Sequence, residues 1–330
     1  MAADRARRYW AGFDLGGTKM LAAIFDERFR RRSLVRRKTK ALEGGAAVVA
    51  RMCRTLDEAL AEARIDKRQL RGIGIGSPGP LDLNRGVVIQ APNLGWKNVP
   101  LRRRFAVRYG CPVMLANDVD VGCYGEYRFG AARGANCVVG IFPGTGIGGA
   151  CVYEGRLLRG RVNSCMEVGH LKMEQPGRLC GCGRRGCLET IASRPAIAAE
   201  AAAAVARGEA PQLAELAGTD LADIRSGVLA EAIRQGDRVV QDIVRQAAAR
   251  LGLAAANLVN LFAPDVLVLG GGLVAALPKI FVDEVTRVVR EEVMETFRGK
   301  TRIVAAKLGD EAGILGAAAL AAAESGKAGR

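Results

Sequence analysis

The sequence predicts an internally duplicated α/β fold made of two similar halves, and two patterns that each occur twice predict it. The first pattern is an apolar strand, a glycine turn and a second apolar strand. It runs from Trp10 to Phe25 around Asp14-Leu15-Gly16-Gly17-Thr18-Lys19, and again from Cys137 to Tyr153 around Gly144-Thr145-Gly146-Ile147-Gly148-Gly149. Both copies read as hairpins. The second pattern is an amphipathic helix leading into a strand that ends in glycines. Val49, Met52, Leu56, Leu60 and Ala63 recur at helical spacing, and Gly72-Ile73-Gly74-Ile75-Gly76 then reads as a buried strand. In the other half Val240, Ile243, Val244, Ala247, Leu251, Ala254, Leu258 and Leu261 form the stripe, and Pro264 ends the helix. Asp265-Val266-Leu267-Val268-Leu269 follows as a strand running into Gly270-Gly271-Gly272. A duplication of this kind predicts a cleft between the halves, where ligands usually sit.

A chain of 330 residues has room for two such domains, each with its own core. The boundary is expected near Asp118, where the short strand Val113-Met114-Leu115-Ala116 meets the polar pair Asn117-Asp118. This gives a smaller domain over 9–118, completed by a C-terminal helix over 312–325, and a larger one over 119–311.

Composition excludes several classes. Met1 to Trp10 carry three arginines and lack the apolar run of about 7 to 15 residues that a signal peptide needs. The alanine-rich stretch Ile314 to Ala323 falls short of the roughly 20 residues that span a bilayer, so no membrane association is expected. Nine cysteines, an odd number spread from Cys53 to Cys187, read as reduced thiols of a cytoplasmic protein and not as a disulfide framework. The net charge of +15 and the run Arg30, Arg31, Arg32, Arg36, Arg37 and Lys38 raise nucleic-acid binding as an alternative. No aromatic residue interleaves that run to stack a base, so an arginine-rich soluble surface is the expectation.

The glycine turns suit phosphate. Glycine adopts positive φ cheaply and has no side chain in the way, so backbone N–H groups can approach an anion. Neither turn is a Walker loop, because Lys19 has the wrong glycines before it. A single such turn would be no more than a tight hairpin, but two occupy matching places. Asp14, at the end of its strand, could hold a magnesium ion beside nucleotide phosphates, and Thr18 and Lys19 add a hydroxyl and a cation. His170, the sole histidine, is followed ten residues on by Cys180-Gly181-Cys182-Gly183-Arg184-Arg185-Gly186-Cys187. One nitrogen and three sulfurs with no open position match a closed, structural zinc site in the loop 170–187.

Together these residues resemble the ROK kinases, a family of sugar kinases and related repressors, over almost the whole chain. Asp14, Gly16, Gly17, Thr18 and Lys19 resemble the family's first phosphate turn; Gly144, Thr145 and Gly146 resemble the second. Asp265 to Gly272 is similar to the strand leading to the adenosine site, with Gly270, Gly271 and Gly272 at its end, and His170 with Cys180, Cys182 and Cys187 is similar to the zinc motif. Ser77-Pro78-Gly79-Pro80, Ala91-Pro92-Asn93 and Asn117-Asp118 resemble segments that line the sugar, joined by Glu167, His170 and Glu189.

The resemblance implies a two-domain, duplicated actin-like ATPase or hexokinase (ribonuclease H-like) fold. It implies an ATP- and Mg2+-dependent hexokinase, glucokinase first, with Asp118 as the general base. Fructose, mannose, allose, N-acetylglucosamine and N-acetylmannosamine are the alternative acceptors, polyphosphate the alternative donor, and a homodimer the implied assembly. The plainer role for Asn117-Asp118 is a helix N-cap, which Asp120 could supply instead. A sugar-responsive repressor is the rival class. Such repressors carry a helix-turn-helix before the first turn, and only thirteen residues precede Asp14. Two departures bear on specificity: Cys165-Met166 stand where the family has Ala-Gly, and Asp120 where it often has asparagine.

Overall fold

Period-two alternation sorts the strands of the first half onto two faces, and each face meets a different kind of partner. The computed structural model describes residues 8–91, 94–161 and 164–325. These form two compact units, one comprising the chain up to Gly134, Leu157–Cys165 and the residues from Leu308, the other Ala135–Arg156 and Met166–Lys307.

In the first unit β1 (Tyr9–Leu15), β2 (Lys19–Phe25) and β3 (Arg31–Lys38) are followed by α1 (Gly45–Ala63) and β4 (Leu70–Ser77). A small antiparallel sheet of β5 (Leu81–Asp82), β6 (Val87–Ala91) and β7 (Trp96–Val99) precedes α2 (Leu101–Tyr109), β8 (Val113–Asn117) and α3 (Asp118–Phe129). The main sheet has the order β3-β2-β1-β4-β8, antiparallel through β1 to β3 and parallel through β1, β4 and β8.

The second unit repeats that plan. It opens with β9 (Cys137–Pro143), β10 (Ile147–Tyr153) and β11 (Arg156–Leu157), then α4 (Glu189–Ala192), α5 (Arg194–Ala206), α6 (Pro211–Ala217) and α7 (Ser226–Arg234). Next come α8 (Arg238–Phe262), β12 (Val266–Leu269), α9 (Gly271–Ala276), α10 (Pro278–Glu292) and β13 (Arg302–Ala305). Asp237 caps α8 by accepting from the Val240 amide at 3.1 Å. The sheet order β11-β10-β9-β12-β13 reproduces that of the first unit strand for strand, with α8 before β12 as α1 stands before β4.

The chain then returns to the first unit as α11 (Glu311–Ser325), which follows β13 as α3 follows β8. Residues Ala312 to Ala321 of this helix are all buried, which accounts for the apolar, alanine-rich stretch read from the sequence. No described helix is long and apolar enough to cross a membrane.

The return of α11 explains the glycines of β1 and β4. Ala11, Phe13, Ile73 and Ile75 point to one face and pack in the core that contains α1 and α2. Gly12 and Gly74 point to the other, where a methyl group would collide with the carbonyl oxygens of Ile314 and Ala317. Backbone of α11 thus lies directly on the sheet. The same helix meets α3 at equal closeness, since a methyl at Gly316 would collide with the carbonyl of Val121 and one at Gly125 with that of Ala312. The boundary expected near Asp118 therefore lies further on, at Gly134, because α3 belongs to the unit that holds α11.

Glu126 of α3, which no sequence motif singles out, is fully buried and ties this return together. Its carboxylate accepts from the Leu308 amide at 2.7 Å and the Ala131 amide at 2.8 Å. The basic run falls largely on β3, the edge of its sheet, where charge discourages pairing with another chain. Arg31 pairs there with Glu311, Arg36 with Asp310 and Arg37 with Glu58.

Candidate active site

Each unit carries its own set of chemistry-bearing residues. In the first, parallel strands deliver them at their C-terminal ends, where ligands of open α/β sheets usually bind. Asp14 pairs in register with Gly76 on β4, and Ser77 with Asn117 on β8. Asp14 follows Gly12 on the α11 face, so its carboxylate meets the first turn of that helix. A methyl at Gly313 would lie 2.8 Å from the Asp14 carboxyl carbon, and only glycine leaves the group its space.

Burial, then the nearby Asp118 carboxylate, push Asp14 up to about 7, with Lys19 pulling the other way. Asp118 opens α3, and burial raises its carboxyl above the ordinary range against backbone hydrogen bonds that hold it down. Its Oδ1 accepts from the Val119 amide at 3.0 Å. The helix cap itself is Asn117, whose side chain accepts from the same amide at 2.9 Å. This corrects the expectation that Asp120 could take over the capping.

The first glycine turn closes through the Gly16 amide on the Lys19 carbonyl at 2.9 Å and the Thr39 hydroxyl on the Gly16 carbonyl at 2.7 Å. Gly17 and Thr18 form its tip. Lys19 is held by Asp310 at 2.5 Å, a residue that sequence reasoning passed over. The signal was present as Asp310-Glu311-Ala312-Gly313, a polar start to an apolar helix. Gly79 has φ of 92° and packs so tightly on the Gln90 carbonyl that its place is set by backbone fit. Asn93 lies outside the described residues.

The second unit brings the other glycine turn to the three glycines after β12. The Gly144 amide donates to the Gly146 carbonyl, and the Arg194 amide at the start of α5 donates to the Gly144 carbonyl, both at 2.8 Å. Thr145 stands at the tip. Gly271, with φ of 79°, lies against the carbonyl of Pro143, and Gly270 against Phe142, both at the end of β9. Gly272 is open by comparison, with the Ser226 hydroxyl 3.7 Å from where a methyl would stand. Both glycine segments thus meet at the end of β9.

Glu167 and His170 flank a short turn in which the His170 amide donates to the Glu167 carbonyl at 2.9 Å. His170, Cys180, Cys182 and Cys187 offer four ligand atoms that lie within 4.8 Å of one another. His170 Nδ1 is 3.6 Å from Cys180 Sγ, and Cys182 Sγ is 3.7 Å from Cys187 Sγ. Tetrahedral geometry with metal–sulfur bonds of about 2.3 Å requires donors about 3.8 Å apart, whereas a disulfide requires about 2.05 Å. The donor set therefore has the size of a four-coordinate site. The loop curls this tightly because Gly186, at φ of 76°, presses on the Glu174 carbonyl.

Glu189 joins the two features, with Oε2 accepting from the Ile147 amide at 3.0 Å and Oε1 3.8 Å from Cys180 Sγ. Among the residues that depart from the resemblance, Cys165 donates its thiol to the Leu158 carbonyl at 2.9 Å. Met166 adopts φ of 58° and packs on the core of the second unit. A glycine would take that backbone shape without strain.

These arrangements can be set beside known proteins. The ROK family model matches residues 10–324. The chain belongs to the ROK family. Its relatives there include the glucokinase of Thermotoga maritima, 37% identical over 94% of this chain and 96% of that one. Among solved structures, a ROK family glucokinase from Streptomyces griseus in complex with glucose and AMPPNP superposes with a TM-score of 0.82. The two are 34% identical, over 96% of this chain and 99% of that one. This ROK chain accordingly has the duplicated actin-like, hexokinase-type fold expected from its sequence. The chain is also similar to the xylose repressor of Caldicellulosiruptor bescii, 29% identical over 80% of this chain but only 66% of the repressor.

Proposed function

We propose that this ROK protein is an ATP-dependent hexokinase that transfers the γ-phosphoryl group of ATP to the 6-hydroxyl of D-glucose. The observation that carries the reading is Asp118, a half-buried carboxylate whose raised pKa suits a general base, placed just after β8 at the start of α3 and near Asp14. The likeness to glucokinases over nearly the whole chain names the acceptor.

In this mechanism Asp118 accepts the proton of the attacking hydroxyl as the new oxygen–phosphorus bond forms and the bond from the γ-phosphorus to the β–γ bridging oxygen breaks, with ADP as the leaving group. Asn117, Glu167, His170 and Glu189 offer donors and acceptors suited to a polyol, with Ser77, Gly79 and Asn93 in the segments assigned to the sugar. The turn at Gly16, Gly17, Thr18 and Lys19, the turn at Gly144, Thr145 and Gly146, and Gly270 to Gly272 offer backbone N–H groups and a cation to the nucleotide. Asp14 would hold Mg2+, directly or through water, and a cation there would offset the burial that keeps its carboxyl protonated up to about 7. Magnesium supplies charge neutralisation on the phosphates.

His170, Cys180, Cys182 and Cys187 would hold a structural Zn2+, which fixes the loop and the angle of the imidazole without entering the chemistry. Purified protein is expected to carry one zinc per chain by elemental analysis, and Cys187→Ser to lose the metal together with sugar binding. A folded, active preparation lacking stoichiometric zinc would remove this assignment. By resemblance we also read the protein as a cytoplasmic homodimer, and nine free cysteines fit a reducing compartment.

The direct test measures ADP release from Mg–ATP with glucose, mannose, fructose, allose, N-acetylglucosamine and N-acetylmannosamine. Glucose is expected to give the highest kcat/KM. Absence of stimulation by every sugar, in folded and zinc-loaded protein, would sink the kinase reading, and sequence-specific DNA binding in a gel shift would replace it.

A further inference from the structure

We infer that Glu189 is a positioning residue that sets the second glycine turn and couples its shape to occupancy of the four-ligand metal site. The resemblance assigns Glu189 to the sugar, yet its carboxylate is engaged within its own unit. Oε2 accepts from the Ile147 amide at 3.0 Å, and a methyl at Gly146 would stand 2.6 Å from that same oxygen. Ile147 lies opposite Pro143 in the β9–β10 pair. Glu189 thus takes a strand-edge donor at the exact start of β10 and holds Gly146 close beside it.

The other end of the same side chain faces the metal site. Oε1 lies 3.8 Å from Cys180 Sγ, and only Leu188 separates Glu189 from Cys187. Leu188 is fully buried and donates its amide to the Leu171 carbonyl at 2.9 Å, next to His170. Ligands on both sides of this short connection are fixed when the metal is bound, and Glu189 is fixed with them. Side chains next to metal ligands commonly orient those ligands; here the order also runs outward, from the metal site to the turn. The Arg194 amide pins the turn from its other side through Gly144, so loss of Glu189 frees the Gly146–Ile147 end alone.

The nucleotide arm of this inference rests on the kinase reading; the structural arm does not. Amide hydrogen exchange across residues 142–150 is measured for zinc-loaded wild type, E189A, E189D, E189Q and chelator-stripped wild type. Binding of a non-hydrolysable ATP analogue with magnesium is measured by calorimetry without sugar. E189A, E189D, which withdraws the oxygen by one methylene, and the stripped protein are expected to lose protection at Ile147 and to bind the analogue about five- to tenfold more weakly, the scale of one hydrogen bond. E189Q keeps an oxygen for the Ile147 amide and turns an N–H towards the Cys180 sulfur, so both properties are expected to stay within about twofold of wild type. A residue that only touched sugar would change neither. Unchanged protection of Ile147 in folded, zinc-loaded E189A or E189D overturns the positioning role, and unchanged protection after stripping overturns the coupling. Failure of wild type to bind the analogue would instead defeat the kinase reading, with the exchange data still deciding the role of Glu189.

Discussion

Asp118→Asn is expected to lower kcat for sugar phosphorylation by about two to four orders of magnitude, the usual range for losing a general base. Folding should survive. Asn117 supplies the α3 cap, and the new side chain keeps an oxygen for the Val119 amide. The variant removes a carboxylate whose ionised form folding disfavours, since burial raises both Asp118 and Asp14. A carboxyl with a raised folded pKa binds its proton more tightly folded than unfolded, so stability declines as pH rises from the unfolded value towards the folded one. For Asp14 that window runs from 3.8 to about 7. Denaturation midpoints for Asp118→Asn should therefore match wild type in acid and exceed it near neutrality. Turnover by wild type needs Asp118 ionised, so its acid limb should fall at a pH above the ordinary carboxylate range of about 4. Wild-type rates in the variant, or an acid limb at the ordinary carboxylate value, would rule out Asp118 as the base.

The second large effect concerns stability and arises far from any charge. Gly316→Ala adds one methyl group where α11 crosses α3, and the atom it strikes is the backbone carbonyl of Val121, with the Gly125 amide nitrogen 2.7 Å away. Side chains can rotate out of such a clash, but two helix backbones must move apart. Overpacking ordinarily costs about 1 to 3 kcal/mol, and a backbone collision belongs at or beyond the upper end. At about 1.5 °C per kcal/mol for a chain of 330 residues, Tm should fall by roughly 5 °C. Gly227→Ala is the control, because nothing lies within 4 Å of its added methyl in α7 and helix propensity favours alanine there. Equal melting temperatures for the two variants would refute the close crossing.

Much of this protein is determined by sequence alone. The two hairpins, the two helix–strand pairs that follow them and the glycine runs fix the duplicated architecture, because hydrophobic period and turn chemistry are local properties. The metal-site residues are equally legible, since Cys180, Cys182 and Cys187 are close in sequence and His170 is the sole histidine. Gly72-Ile73-Gly74-Ile75-Gly76 announced a buried strand, but its partner on the glycine face did not appear in the pattern.

Tertiary structure decided the rest. Only the folded chain shows α11 lying on Gly12 and Gly74, Gly313 making room for Asp14, and Glu126 tying the Leu308 amide. Only there do Lys19 and Asp310 meet, 291 residues apart. The raised pKa of Asp14 likewise depends on burial and on Asp118, neither of which is a property of its sequence neighbours. Local spacing can specify a turn or a ligand set, whereas backbone-to-backbone contact and desolvation exist only once segments distant in sequence have packed together.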